Sequence, residues 1–399
     1  MQFSSFENIV LYCFTFILLY LYDIMYKNKR ISNMQSANVS FQDSSSVGLS
    51  FVLLLAIGIS VVTEGFRYGR GIDQLNVYAP YYMQCNSGYI FSHDFEPLFV
   101  WLNQTWNRID PFLTYIPFGS IFLFYALLEW IMILIMYSSY KDETRYFLLF
   151  ALIATFGIFE NFIRQSLSVS FIFAAIGLYN NKKWKWAVLL LIGSLFIHKG
   201  NAVLIALLIA SYFILRKRPL SIKITIPLFI LFEFFVGLDS VFNIIMDVVP
   251  KLNISEDAQF SSYLTNADYI QSEISLAEDW QRGPLTQAMT VVRYIALFYL
   301  GWYVCKKIPK DSYVYVYNTF IVCALIYEPF RLYGTLSRAF VGGDLLWFVP
   351  ISLALFNWKQ FKGRLFRLST VYVILFEILI IGRFVFLNPE AKYIWDFLN

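Results

Sequence analysis

Mostly apolar runs of membrane-span character, several of them short, recur about twelve times along this chain, and no other feature restricts its fold as strongly. A helix needs about 20 mostly apolar residues to span the hydrocarbon core. Runs bounded by charges or turn residues fall at 8–26, 49–64, 116–138, 146–160, 164–180, 186–198, 200–215, 222–240, 288–305, 312–327, 333–356 and 368–387. With 58% hydrophobic and only 15% charged residues, the 399-residue chain has too little polar surface for a soluble domain. The expected fold class is an all-α polytopic membrane protein of about twelve transmembrane helices with two long outward-facing loops, forming one integral membrane domain over 1–399. The first run has no small-residue cleavage site after it, so a retained helix rather than a signal peptide is expected.

Orientation follows from the loops. Lysines cluster in alternate connections, in "KNKR", "YKDETR", "NNKKWK", "RKRPLSIK", "CKKIPK" and "NWKQFKGRLFR". The positive-inside rule places these six in the cytoplasm. The serine-rich stretch within 27–48 then reads as a mobile cytoplasmic linker, and both termini fall outside. Thirteen of the sixteen lysines lie inside on this topology, leaving only Lys199, Lys251 and Lys392 outside.

Arginine breaks the pattern. Arg67, Arg70, Arg108, Arg164, Arg282, Arg293, Arg331, Arg338 and Arg383 sit on the outer side or in the outer ends of helices. A cation at mid-membrane costs about 2.5–3.5 kcal/mol, so its placement calls for a compensating role. Arginine's fixed fork of donors pairs two-point with phosphate or carboxylate, whereas lysine is a point charge. The outer face therefore looks built for a phosphate-bearing ligand. The structural alternative is that these arginines pair with Glu64, Asp73, Glu96, Glu160, Glu328 and Asp344 and fix helix packing. Asn161 and Gln165 flank Arg164 and would give it a polar helix face, with Glu160 four residues back as a local partner.

The first outer loop, 65–117, is rich in Tyr, Trp, Asn and Gln, which suit the flat apolar face and the hydroxyls of a sugar. An interfacial aromatic belt is the other reading. The second loop, 241–287, is acidic and could cover the site as a lid. Cys13, Cys85, Cys305 and Cys323 are scattered and define no disulfide framework or zinc spacing, and the two histidines, His93 and His198, exclude a histidine-rich metal site. There is no Walker loop or dinucleotide fingerprint, so no cofactor, no bound metal and no nucleic-acid partner are expected. His198, in "SLFIHKGNAV", stands on the arginine side, and histidine is the side chain suited to proton transfer near neutrality, although a lone histidine is commonly structural.

The stretch "NFIRQSLSVSFIFAAIGLYNNKKWKWAVLLLIGSLFIHKGNAVLIAL" resembles the signature block of the EpsG-like family, which includes Wzy-type O-antigen and exopolysaccharide polymerases. An Asn, two residues and an Arg-Gln pair open one helix, a lysine-rich turn follows, and a second helix ends in Phe-x-His, covering Asn161 to His198. Upstream, Arg70, Asp73 and Tyr78 in "RYGRGIDQLNVY" and Glu96–Pro97 in "FEPLFVWLN" are similar to further family elements. Downstream, Arg338 in "LSRAFVGGDLLWF" stands where family members carry an arginine followed by a tyrosine that this chain lacks.

The resemblance implies a glycosyltransferase of the bacterial inner membrane that joins polyprenyl-pyrophosphate-linked oligosaccharide repeat units on the periplasmic side, beside a chain-length regulator and a flippase. A hydroxyl of the incoming unit would attack the reducing-end sugar of the growing chain, with lipid pyrophosphate leaving. Arg164 is the first choice for the pyrophosphate, Arg70 and Arg338 the second, and Arg67, Arg282, Arg293 and Arg331 the third, with Asn161, Gln165 and Tyr78 as further contacts. The general base is His198, Asp73 or Glu96. A lipid-linked oligosaccharide flippase, or an O-antigen ligase transferring glycan to lipid A core, are the rival readings.

Overall fold

The computed structural model describes residues 6–35, 44–65, 67–68, 78–87, 95–110, 119–161, 163–235, 283–328, 334–387 and 392–393. In chain order the helices are α1 (Phe6–Gln35), α2 (Ser44–Gly65), α3 (Ala79–Gln84), α4 (Pro97–Ile109), α5 (Gly119–Tyr140), α6 (Phe147–Asn161), α7 (Ile163–Asn180) and α8 (Trp184–Ile197). They continue with α9 (Ala202–Leu215), α10 (Ile222–Phe235), α11 (Pro284–Lys307), α12 (Asp311–Tyr327), α13 (Gly334–Asp344), α14 (Phe348–Phe356) and α15 (Arg364–Leu387). Two antiparallel two-residue strands, β1 (Arg67–Tyr68) and β2 (Lys392–Tyr393), are the only extended pairing among the described residues.

The described residues of each apolar run lie on helix, the last run but one being shared by α13 and α14 through a tight turn at Leu345–Trp347. Among the described residues, five stretches, Ile9–Arg30, Ser120–Tyr140, Pro284–Lys307, Arg338–Phe356 and Arg364–Arg383, are long and apolar enough to cross a membrane. Ser50–Gly65, Trp184–Ile197 and Lys199–Leu215 are shorter apolar helices. The chain is thus a multi-pass helical membrane protein.

Described helix extends into the expected linker and both expected loops. The linker expected over 27–48 is helical at both ends, because α1 continues to Gln35 and α2 begins at Ser44. Docking explains the extension: Tyr26 donates a 3.1 Å hydrogen bond to Asp142, and Arg30 lies 3.7 Å from the same carboxylate. The first outer loop folds into α3 and α4. The acidic second loop lies outside the described residues as far as Arg282, and α11 takes up its end from Pro284.

The chain divides into two compact units, Met1–Lys199 with Glu377–Asn399, and Gly200–Phe376. In the first, α7 packs between α5 and α8. Its buried residues run from Gln165 through Gly177, so this helix is wrapped in protein and tolerates the polar sequence that lipid would not. Small residues let its neighbours approach: a Cβ at Gly177 would lie 2.5 Å from Met136 Cα. Ser166 donates to Glu129 of α5 at 2.6 Å, which accounts for one mid-span carboxylate, and Ser168 donates to the Ser194 carbonyl of α8 at 2.8 Å. In the second unit α12 is the central helix, packed by α9, α11 and α13, with Tyr313 through Phe320 buried.

Candidate functional site

The site is built at the ends of α4, α7 and α8. Pro97 occupies the first turn of α4, where its missing N–H costs nothing, and Glu96 precedes it with extended backbone (φ −66, ψ 148). Glutamate is a poor helix cap. The Glu96 side chain makes no capping bond and reaches instead across to two other helices.

Arg164 lies in the first turn of α7, and its Nη1 donates to Glu96 Oε2 at 2.7 Å. The pair is separated by 68 residues of sequence, and the side chain of Glu160, the local partner considered from sequence, lies outside the described residues. The guanidinium also lies 5.1 Å over the Phe95 ring. Glu96 Oε1 accepts the backbone N–H of Lys199 at 3.0 Å and faces His198 Nδ1 at 3.5 Å, the outer limit of a hydrogen bond. His198 is the residue that ends α8, its own N–H bonded to the Ser194 carbonyl at 2.9 Å.

The electrostatics are set by this sharing. Burial alone would push the Glu96 carboxyl up, but the His198 contact, the Arg164 charge and the Lys199 amide outweigh it and hold the group at about 2. Glu96 is therefore an anion at any physiological pH and a weak proton acceptor. With a carboxylate at Nδ1, the proton of the neutral His198 ring belongs on that nitrogen, which puts the lone pair on Nε2. Arg164 spends Nη1 on Glu96, while its Nε is buried and makes no hydrogen bond among the described residues. The arrangement can hold an anion by the arginine and take a proton at the histidine.

An aromatic wall stands behind it. Phe95 packs against Tyr81 (ring centroids 4.4 Å), Phe99 (5.4 Å) and Tyr78 (6.2 Å). Tyr78 is buried in this cluster, and Gln165 is buried in α7. Asp110 fastens the wall: it accepts from Tyr82 at 2.6 Å and from Ser120, tying α3 and the end of α4 to the start of α5. Trp101 and Ile109 remain exposed on the other face of α4, which makes it an amphipathic helix suited to lie at a membrane surface.

The other expected residues fall elsewhere. Asn161 is the last residue of α6, and its side chain is outside the described residues. Arg67 is described only as backbone, in β1 opposite Tyr393. Asp73, Arg70, Arg282 and Arg331 lie outside the described residues. Arg338, exposed on α13, and Arg293, on α11, belong to the second unit. Arg293 is caged by the rings of Trp347 (4.9 Å), Tyr294 (5.0 Å) and Phe376 (5.6 Å), and Tyr294 donates to Asp344 at 3.0 Å. Sequence reasoning missed Phe95 and the Lys199 amide; their adjacency to Glu96 and His198 was the available signal.

A polytopic helical protein with an arginine–glutamate–histidine cluster at its helix ends is the class so defined. The family model described as the EpsG family matches residues 50–395, and the chain belongs to that family. Membership points to a polysaccharide-polymerase type of membrane protein. Comparison with curated proteins and with solved structures returned no significant match.

Proposed function

We propose that the chain is an O-antigen-type polysaccharide polymerase, a membrane glycosyltransferase joining polyprenyl-pyrophosphate-linked repeat units on the periplasmic side of the inner membrane. The observation that supports this reading is a single carboxylate, Glu96, holding Arg164 and His198 together. A hydroxyl of the incoming unit attacks the anomeric carbon of the growing chain, and the bond from that carbon to the pyrophosphate oxygen breaks. Arg164 neutralises the charge gathering on the leaving pyrophosphate. His198 takes the hydroxyl proton at Nε2, and ionised Glu96 orients the ring and stabilises the imidazolium that forms. Glu96 thus acts through its partners rather than as the base, and Arg70, of the second rank, would add to the pyrophosphate and glycan contacts.

The test is polymerisation by purified protein supplied with its lipid-pyrophosphate repeat unit and no ATP, with products resolved on a gel. A ladder is expected from the native chain and none from Arg164→Ala or His198→Ala. A folded protein giving no ladder with the correct substrate, or a His198→Ala variant polymerising at the native rate, would overturn the assignment.

A further inference from the structure

At the opposite end of the α7–α8 hairpin from Arg164 lies a cleft of about 570 Å³ whose rim carries Lys182, Lys183, Trp184, Lys185 and Trp186 over an apolar floor. Two features of this turn run against local preference. The last turn of α7 closes with Lys183 N–H bonded to the Leu178 carbonyl at 2.8 Å and Lys182 N–H to the Tyr179 carbonyl at 2.9 Å. That closure puts the residue after the helix in the left-handed region, where glycine is the ordinary choice, yet Lys182 stands there at φ 62. Lys183 and Lys185 then flank the start of α8, the end of a helix at which positive charge is disfavoured. Trp184 and Trp186 are 58% and 62% exposed although each carries a large apolar ring.

We propose that this cleft is a binding site for the phosphate headgroup of an anionic phospholipid. The three ammonium groups and the uncapped first turn of α8 supply complementary charge. The exposed indoles lie at headgroup depth, and the apolar floor receives the first methylenes of the acyl chains. An 18-residue α7 rises about 27 Å, close to the hydrocarbon thickness, so the turn reaches the membrane surface facing away from Arg164. Nothing in this site depends on the polymerase reading.

Native mass spectrometry of the full chain, with phosphatidylglycerol or phosphatidylcholine added, tests it. Each lysine near a charged surface contributes about fivefold in affinity, so K182Q/K183Q/K185Q should weaken phosphatidylglycerol binding roughly 100-fold. K306Q/K307Q/K310Q, an equal charge change elsewhere, should leave it within threefold. Lys182→Gly should raise the melting temperature by relieving the backbone and still weaken lipid binding about fivefold, a pair of opposite effects that a structural lysine would not give. Equal losses in the two triple variants, no preference for phosphatidylglycerol over phosphatidylcholine, or displacement of the lipid by an equal concentration of glycerol phosphate would overturn the proposal.

Discussion

Replacing Glu96 by glutamine keeps the side-chain shape and an oxygen for the Lys199 amide, but removes the charge shared by Arg164 and His198. The native carboxyl is held at about 2 against an ordinary value of 4.5. That difference of about 2.5 corresponds to ~3 kcal/mol of preference for the ionised form. Solvent reaches the pair through an arginine side chain that is 21% exposed, and the screened contribution is ~1.5–3 kcal/mol. Glu96→Gln should therefore lower the melting temperature in detergent by roughly 2–4 °C at pH 7. Because the folded value lies below the unfolded one, the stabilisation is present above the unfolded value and lost as pH falls through the folded value. The gap between native and variant should hold constant above about pH 5 and shrink by more than half by pH 3. The same variant should polymerise about 10²–10⁴ times more slowly, since His198 loses its orienting partner. Equal melting at pH 7, or a gap unchanged at pH 3, would refute the electrostatic account of the site.

Arg164→Lys keeps a charge for Glu96 but loses the second donor edge and the stacking on Phe95; polymerisation should fall at least about tenfold while the melt shifts by no more than ~1 kcal/mol, as read by gel and by thermal scan. Gly177→Val would drive a Cβ to 2.5 Å from Met136 Cα and 2.6 Å from the Ile135 carbonyl, so the melt should drop by ~1–3 kcal/mol, and an unchanged melt would mean that α5 and α7 are not in backbone contact. In a background with Cys13, Cys85, Cys305 and Cys323 replaced, Lys199→Cys and Trp184→Cys should react with a membrane-impermeant maleimide from opposite sides; labelling from one side would break the reading of α7–α8 as a crossing hairpin.

Most helices were legible because charges and turn residues interrupt the apolar runs between them, as at "NNKKWK" between α7 and α8, whereas the turn between α13 and α14 falls inside one run. α4 was legible in principle, since Leu98, Phe99, Leu102, Asn103 and Trp106 recur at helical spacing behind Pro97, but a reading tuned to membrane spans passes over a short amphipathic helix. Arg164 stood out as a cation in an apolar run, and its need for a partner could be stated from sequence alone. Which partner could not: Glu160 is nearer along the chain, and only the packing of α4 beside α8 delivers Glu96.

The α7–α8 hairpin gathers its charge at its two ends and keeps none along α7 between them. From Gln165 to Asn180 there is no ionisable acid or base other than a tyrosine, and the seam to α8 is closed by the fully buried Ser168 and Ser194. A transporter that carries a phosphate across the membrane needs polar partners along its route, exposed in turn to each side. This hairpin provides an anion-holding cluster at one end, a closed serine seam in the middle and lysines at the other end. Its arginine is already fixed by a carboxylate that stays ionised, so it is set for charge that develops in place rather than for charge that passes by. Such an arrangement favours chemistry at one membrane face over movement between the two, which is the physical ground for preferring a polymerase to a flippase.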